Sequence, residues 1–121
     1  MMTTTSDLSK LRDMFPTHAW RRRSADGDSR FNEGNIAATE TALSEFLLTL
    51  FAAAGSRESI LDVVKDVVIA LNHLGGIEGA LGNFIETQER EELCQFIGRA
   101  ARIAGLDAEA TVDITEEWRE W

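Results

Sequence analysis

Cysteine, histidine, proline and positive charge are all scarce in this 121-residue chain, and each scarcity removes a class of chemistry. The single cysteine, Cys94, forms no internal disulfide and excludes a four-cysteine zinc site. With only His18 and His73 present, one route to a thiol enzyme is left, Cys94 activated by His73. Cys94 stands at the edge of an apolar helical arc, where cysteine behaves as a small hydrophobe. Proximity to a histidine would not by itself supply the electropositive setting that favours a thiolate. Long apolar runs are missing too. The most apolar stretch, Phe46 to Ala54, is nine residues and contains Thr49, whereas a bilayer span needs about 20. The leading segment MMTTTSDLSKLRDMF lacks the continuous apolar core of a signal peptide, so a cytoplasmic location is the expectation.

The shortage of positive charge is quantitative: 12 Lys and Arg oppose 21 Asp and Glu, a net charge of −9. Phosphate backbones bind through Lys and Arg that displace condensed counterions, so nucleic acid is not an expected partner. Anionic membranes are disfavoured by the same repulsion. A basic protein would be attracted, and its encounter accelerated. The charge is unevenly spread. Residues 1–35 carry six basic and five acidic side chains, a net of +1, and residues 36–121 carry six basic and sixteen acidic, a net of −10.

Residues 1–35 read as an N-terminal arm, partly disordered or loosely docked. They hold the only proline, Pro16, a Ser/Asp/Gly stretch from Ser24 to Ser29, and little apolar periodicity. Ser6 is a candidate cap for a short helix that Pro16 would stop. The basic cluster Arg21-Arg22-Arg23 beside Trp20 could touch nucleic acid or an acidic partner, but docking back onto the acidic body of its own chain, or plain solvation, is the better expectation.

From Ile36 onward the helical period takes over. Ile36, Leu43, Phe46, Leu47, Leu50, Phe51 and Ala54 recur at spacings of three, four and seven. Gly55 suits a left-handed helix end and Ser56 the cap of the next helix, together predicting a tight αα-hairpin. The second helix, about Arg57 to Leu74, places Ile60, Leu61, Val63, Val64, Val67, Val68, Leu71 and Leu74 in one half. Asp62, Lys65, Asp66, Asn72 and His73 fall in the other. Four glycines within Gly75–Gly82 predict a flexible connection. Thr87 is then a candidate cap for a third helix, with Leu93, Phe96, Ile97, Ala100, Ile103 and Ala104 inward. Gly105-Leu106 suits a Schellman end. Thr115 would cap a short final helix, Glu116 to Trp121, with Trp118 and Trp121 on one face.

The motifs for metal and phosphate fail on spacing. Asp107, Glu109, Thr111 and Asp113 alternate like the start of a calcium loop, but Val112 replaces the turn glycine and Trp118 the closing glutamate. The carboxylates Glu86, Glu89, Glu91 and Glu92 read as helix-start charge and a solvated face. Gly76, Gly79 and Gly82 follow a helix rather than a strand and lack both phosphate-loop patterns. Phe84–Ile85 and Val112–Ile114 are candidates for a minimal strand pair.

The sequence therefore predicts an all-α fold, a compact antiparallel bundle of three main helices plus a short C-terminal helix, with a flexible N-terminal arm. The three helices would each be about 26–28 Å long. The functional expectation is a non-enzymatic interaction module, immunity- or adaptor-like, whose acidic residues 36–121 bind or neutralise a basic protein, with no cofactor and no metal. Its candidate partner-binding residues are Asp62, Asp66, Ile69, His73, Glu116, Glu117, Trp118 and Trp121. Two alternatives stand beside it: a small metal-dependent or thiol enzyme using the acidic clusters or Cys94 with His73, and a structural homodimer joined through Ile69 and the terminal tryptophans.

Overall fold

A computed structural model describes residues 5–76, 79–109 and 112–121. It contains α1 (Thr5–Asp13), α2 (Thr17–Ala25), α3 (Glu33–Ala52), α4 (Arg57–Gly75) and α5 (Thr87–Ile103). No strand occurs among the described residues, so Phe84–Ile85 and Val112–Ile114 do not pair. No helix is long and apolar enough to cross a membrane, again among the described residues.

The three long helices lie where the periodicity puts them. Helices α3 and α4 form the closest-packed pair, joined by the four-residue junction 53–56. Gly55 adopts φ +87°, and Ser56 accepts a bond from the Ser59 N–H, both as their chemistry predicts. The Gly55 N–H reaches across to the Ala104 carbonyl at 2.9 Å, fastening the hairpin turn to the end of α5. That end is a Schellman motif: Leu106 N–H donates to Ala101 O and Gly105 N–H to Arg102 O, both at 3.0 Å, with Leu106 buried beneath. Helix α3 starts earlier than its apolar pattern, because Asn32 and Asn35 exchange side-chain-to-backbone bonds at 2.8 and 3.0 Å.

The N-terminal region is not an arm. Leu11, Phe15, Trp20 and Phe31 are all buried in the one hydrophobic core shared with α3, α4 and α5. Trp20 is 0 % exposed, stacks on Phe31 at 5.4 Å, and meets Phe84 edge-on at 5.9 Å. Phe15 meets Phe96 of α5 edge-on at 5.3 Å. The apolar residues here escape a periodicity search because they belong to two nine-residue helices and a turn, with only one or two anchors each. Pro16 ends α1, as predicted, and also opens α2, where its fixed φ suits a helix start. The side chain of Ser6, the expected cap, lies outside the described residues.

The glycine-rich connection is also not a free linker. Ala80 N–H donates to His73 O at 2.8 Å, Leu81 N–H to Leu74 O at 3.1 Å and Ile85 N–H to Gly75 O at 3.2 Å, so the segment folds back along the end of α4. Phe84 and Ile85 are buried. The ring of Phe84 lies directly on Gly75: a Cβ there would sit 2.5 Å from Phe84 Cζ. A Cβ on Gly76 would sit 2.8 Å from Asn72 O and 3.1 Å from Glu120 O. These glycines serve close approach rather than mobility.

The C-terminal segment differs as well. Residues 114–118 form turns instead of a helix. Two of the segment's backbone groups, Trp118 O and Glu120 N–H, are taken by Asn72 rather than by helical partners. The Asn72 amide donates to Trp118 O at 2.8 Å and accepts from Glu120 N–H at 2.9 Å. Asn72 lies in the polar half of α4 in the sequence pattern, yet it is buried by this clamp.

Candidate functional site

The first question is which charges are still available once internal pairs are formed. Arg21, on α2, forms a forked pair with Glu40 of α3 at 2.6 and 2.9 Å and reaches Glu33 at 3.0 Å. Thr17 adds a third donor to Glu40, at 2.9 Å. Hydrogen bonding to the Arg21 guanidinium holds the Glu40 carboxyl below its ordinary value, against a smaller opposing effect of burial.

A second cluster joins the N-terminal region to α5. Glu89, 0 % exposed, accepts from Arg23 at 2.8 Å, from Arg30 at 2.9 Å and from the Glu86 N–H at 3.1 Å. Arg23 continues to Glu92 at 2.6 Å, and Glu92 also accepts the Trp20 indole N–H at 3.1 Å. Arg30 is paired further with Asp28 at 2.8 Å and Glu86 at 3.1 Å, and lies over the Phe31 ring. A carboxylate buried this deeply persists only when its lone pairs are met, and here they are. Glu86, Glu89 and Glu92 are therefore internal ion-pair partners, and only Glu91 of that run is an exposed, unpaired carboxylate. The arginine run is divided the same way: Arg21 and Arg23 dock onto the chain's own acidic helices, and Arg22 is exposed between them.

Of the exposed carboxylates outside the ion pairs, half lie on α4 and the C-terminal segment. Asp62, Asp66 and His73 are exposed and Ile69 half-buried. Their spacings of four, three and four align them in one stripe along the helix, with Glu58 extending it. Glu116, Glu117 and Glu120 are exposed on the segment that Asn72 fastens to the same helix. The C-terminal candidate residues are thus fastened to the end of the helix that carries the other group, through Asn72. Trp121 does not join them. It is buried in the core, under the Arg119 guanidinium at 5.4 Å from its ring, and Trp118 packs partly against the same core. An asparagine in a helix's polar half carries no sign that its amide will bind backbone from elsewhere, and the clamp was not legible for that reason.

Among the described residues no hydrogen bond joins Cys94 to His73. The Cys94 thiol lies 3.3 Å from Thr115 Oγ1 and 3.9 Å from Asp113 Oδ2. Burial pushes its pKa up, the opposite of what a nucleophilic thiol requires. Asp113 instead organises the tail: it accepts from Thr115 N–H at 2.9 Å and Thr115 Oγ1, and pairs with Arg119 at 3.1 Å. Among the described residues no three His, Cys, Asp or Glu side chains are grouped to hold a metal ion. Thr111 and Glu78 lie outside the described residues.

No protein family, curated protein or solved structure matches this chain.

Proposed function

We propose that this protein is an interaction module that binds a basic protein partner through the exposed stripe of α4 and the adjoining C-terminal segment. The observation that carries the reading is the Asn72 clamp, which joins Glu116, Glu117 and Glu120 to the helix bearing Asp62 and Asp66. The N-terminal arginines support it in a second way. Arg21, Arg23 and Arg30 are consumed by internal acids, so they do not neutralise this face.

Ile69 and Trp118 provide apolar area within the charged surround, the usual composition of an interface whose charges steer and whose apolar contacts hold. Neutralisation of a basic protein's active surface, in the manner of an immunity protein or adaptor, is the role this chemistry suits best. Trp121, buried in the core, contributes to the position of the segment rather than to contact.

The test compares two variants of equal net charge binding an oligo-lysine probe at low and moderate salt. One carries Asp62→Asn, Asp66→Asn, Glu116→Gln and Glu117→Gln. The other carries Asp26→Asn, Asp107→Asn, Glu45→Gln and Glu109→Gln. Exposed pairs are worth roughly 0.2–1 kcal/mol each, so the first set weakens binding at least about fourfold beyond the second. Equal losses in the two variants refute a localised site. An association rate that does not fall as salt rises refutes electrostatic steering.

A further inference from the structure

Against a net charge of −9, one cleft in this molecule is lined by arginine. It runs along the outer face of α5, has a volume of about 370 Å³, and receives Arg90, Arg99 and Arg102 from that helix and Arg119 from the C-terminal segment. Two carboxylates also line it, Glu91 and Asp113, so the wall is net positive by two charges. Asp113 is already committed to Arg119. No ion pair engages Arg90, Arg99 or Arg102 among the described residues. Every arginine of the N-terminal region that docks onto the body does so through a carboxylate. Among the described residues the α5 arginines have no such ion pair, and Arg99 Nη1 lies 3.9 Å from Met14 Sδ.

Gly98 lines the cleft without a side chain to fill it. This position is buried on the outer arc of α5, and a Cβ there would sit 3.3 Å from Arg102 Nη1. The absent side chain leaves room for the Arg102 guanidinium to lie back toward Gly98, one turn before it, while Arg90 stands more than two turns before Gly98 on the same helix. Arg119 is fixed from the opposite wall by Asp113 and by the Trp121 ring. Guanidinium groups present planar, paired donors that match the oxygens of phosphate and carboxylate, and they remain charged at any physiological pH. The volume suits a small molecule. The acidic remainder of the surface is screened beyond about 10 Å at 0.1 M salt, so the local positive wall governs what enters.

From this geometry we infer that the α5 cleft is a binding site for a small multivalent oxyanion, a phosphate ester or polycarboxylate, held by Arg90, Arg99 and Arg102. The site touches the C-terminal segment of the surface proposed above only through Arg119, and its α5 arginines do not depend on that surface's function.

The experiment titrates the full-length chain with pyrophosphate and, separately, with citrate, each against chloride at matched ionic strength. Amide and arginine side-chain NMR signals and the rate of Cys94 alkylation by iodoacetamide are followed, since Cys94 also lines the cleft. Saturable shifts at Gly98 and the α5 arginines, with slowed alkylation, are the expected result, and the tighter of the two anions identifies the class. Loss of one charge-assisted contact in Arg90→Gln or Arg102→Gln should weaken binding roughly 10- to 100-fold. Arg57→Gln, an exposed arginine of α4, should leave it unchanged. Shifts that rise linearly without saturation for both anions overturn the proposal, as does an equal loss in Arg57→Gln.

Discussion

Replacing Gly75 by alanine tests the packing of this fold sharply, because two general effects predict opposite signs. In an ordinary helix the substitution stabilises, by up to about 1 kcal/mol, since alanine loses less backbone freedom on folding. Here the added Cβ would lie 2.5, 2.6 and 2.9 Å from three ring atoms of Phe84. The ring has no free direction of retreat. It is 2 % exposed and is held edge-on by Trp20 at 5.9 Å and Phe31 at 6.4 Å. Forcing a methyl into a filled core costs about 1–3 kcal/mol, and a ring driven partly into water loses a further share of its burial. The expected net effect is a destabilisation of about 1–3 kcal/mol, read as a fall of the urea midpoint by roughly 1 M. Phe84→Leu shortens the side chain that causes the clash. On that background Gly75→Ala should cost much less, a coupling that a double-mutant cycle measures directly. A midpoint raised by Gly75→Ala, or the same loss in both backgrounds, would refute the reasoning and restore the glycine-rich segment as a loose linker.

The remaining predictions concern polar contacts. Glu89→Gln, with Arg23 keeping Glu92 and Arg30 keeping Asp28, should cost about 2 kcal/mol or more by chemical denaturation, less than a fully stranded buried charge; an unchanged midpoint would mean that the cluster is idle. Asn72→Ala removes two hydrogen bonds, about 1–3 kcal/mol in all, and should expose Trp121, shifting tryptophan emission to the red and accelerating exchange of the Glu120 amide. The Glu40 carboxyl, lowered from its ordinary 4.5 by Arg21, contributes stability that is complete above that value and lost as pH falls through the lowered one. Arg21→Gln should therefore flatten the acid limb of the stability curve, and identical limbs in the two proteins would exclude the pair as its cause. Alkylation of Cys94 should still be rising past pH 9, because burial raises its thiol pKa; a rate that levels off near neutrality would point to an activated thiolate instead.

What the sequence by itself determined is everything local. The three long helices, the Gly55-Ser56 junction and the Gly105-Leu106 end follow from a 3.6-residue period and from backbone preferences of single residues, which need no partner elsewhere in the chain. The acidity of residues 36–121 is likewise a matter of composition. Tertiary structure decided what depends on pairs far apart. Leu11, Phe15, Trp20 and Phe31 carry no period, and only the core they complete makes them structural. Glu89 and Glu92 look like a solvated helix start until Arg23 and Arg30, some sixty positions away, close on them. Gly75 looks permissive until Phe84 occupies the space its side chain lacks. Asn72 decides where the C-terminal segment is fastened, and that segment's packing brings Arg119 to a cleft that arginines of α5 also line. In each case the determining energy is a contact between distant residues, and a linear pattern records a residue's own preferences but not the neighbour that will satisfy them.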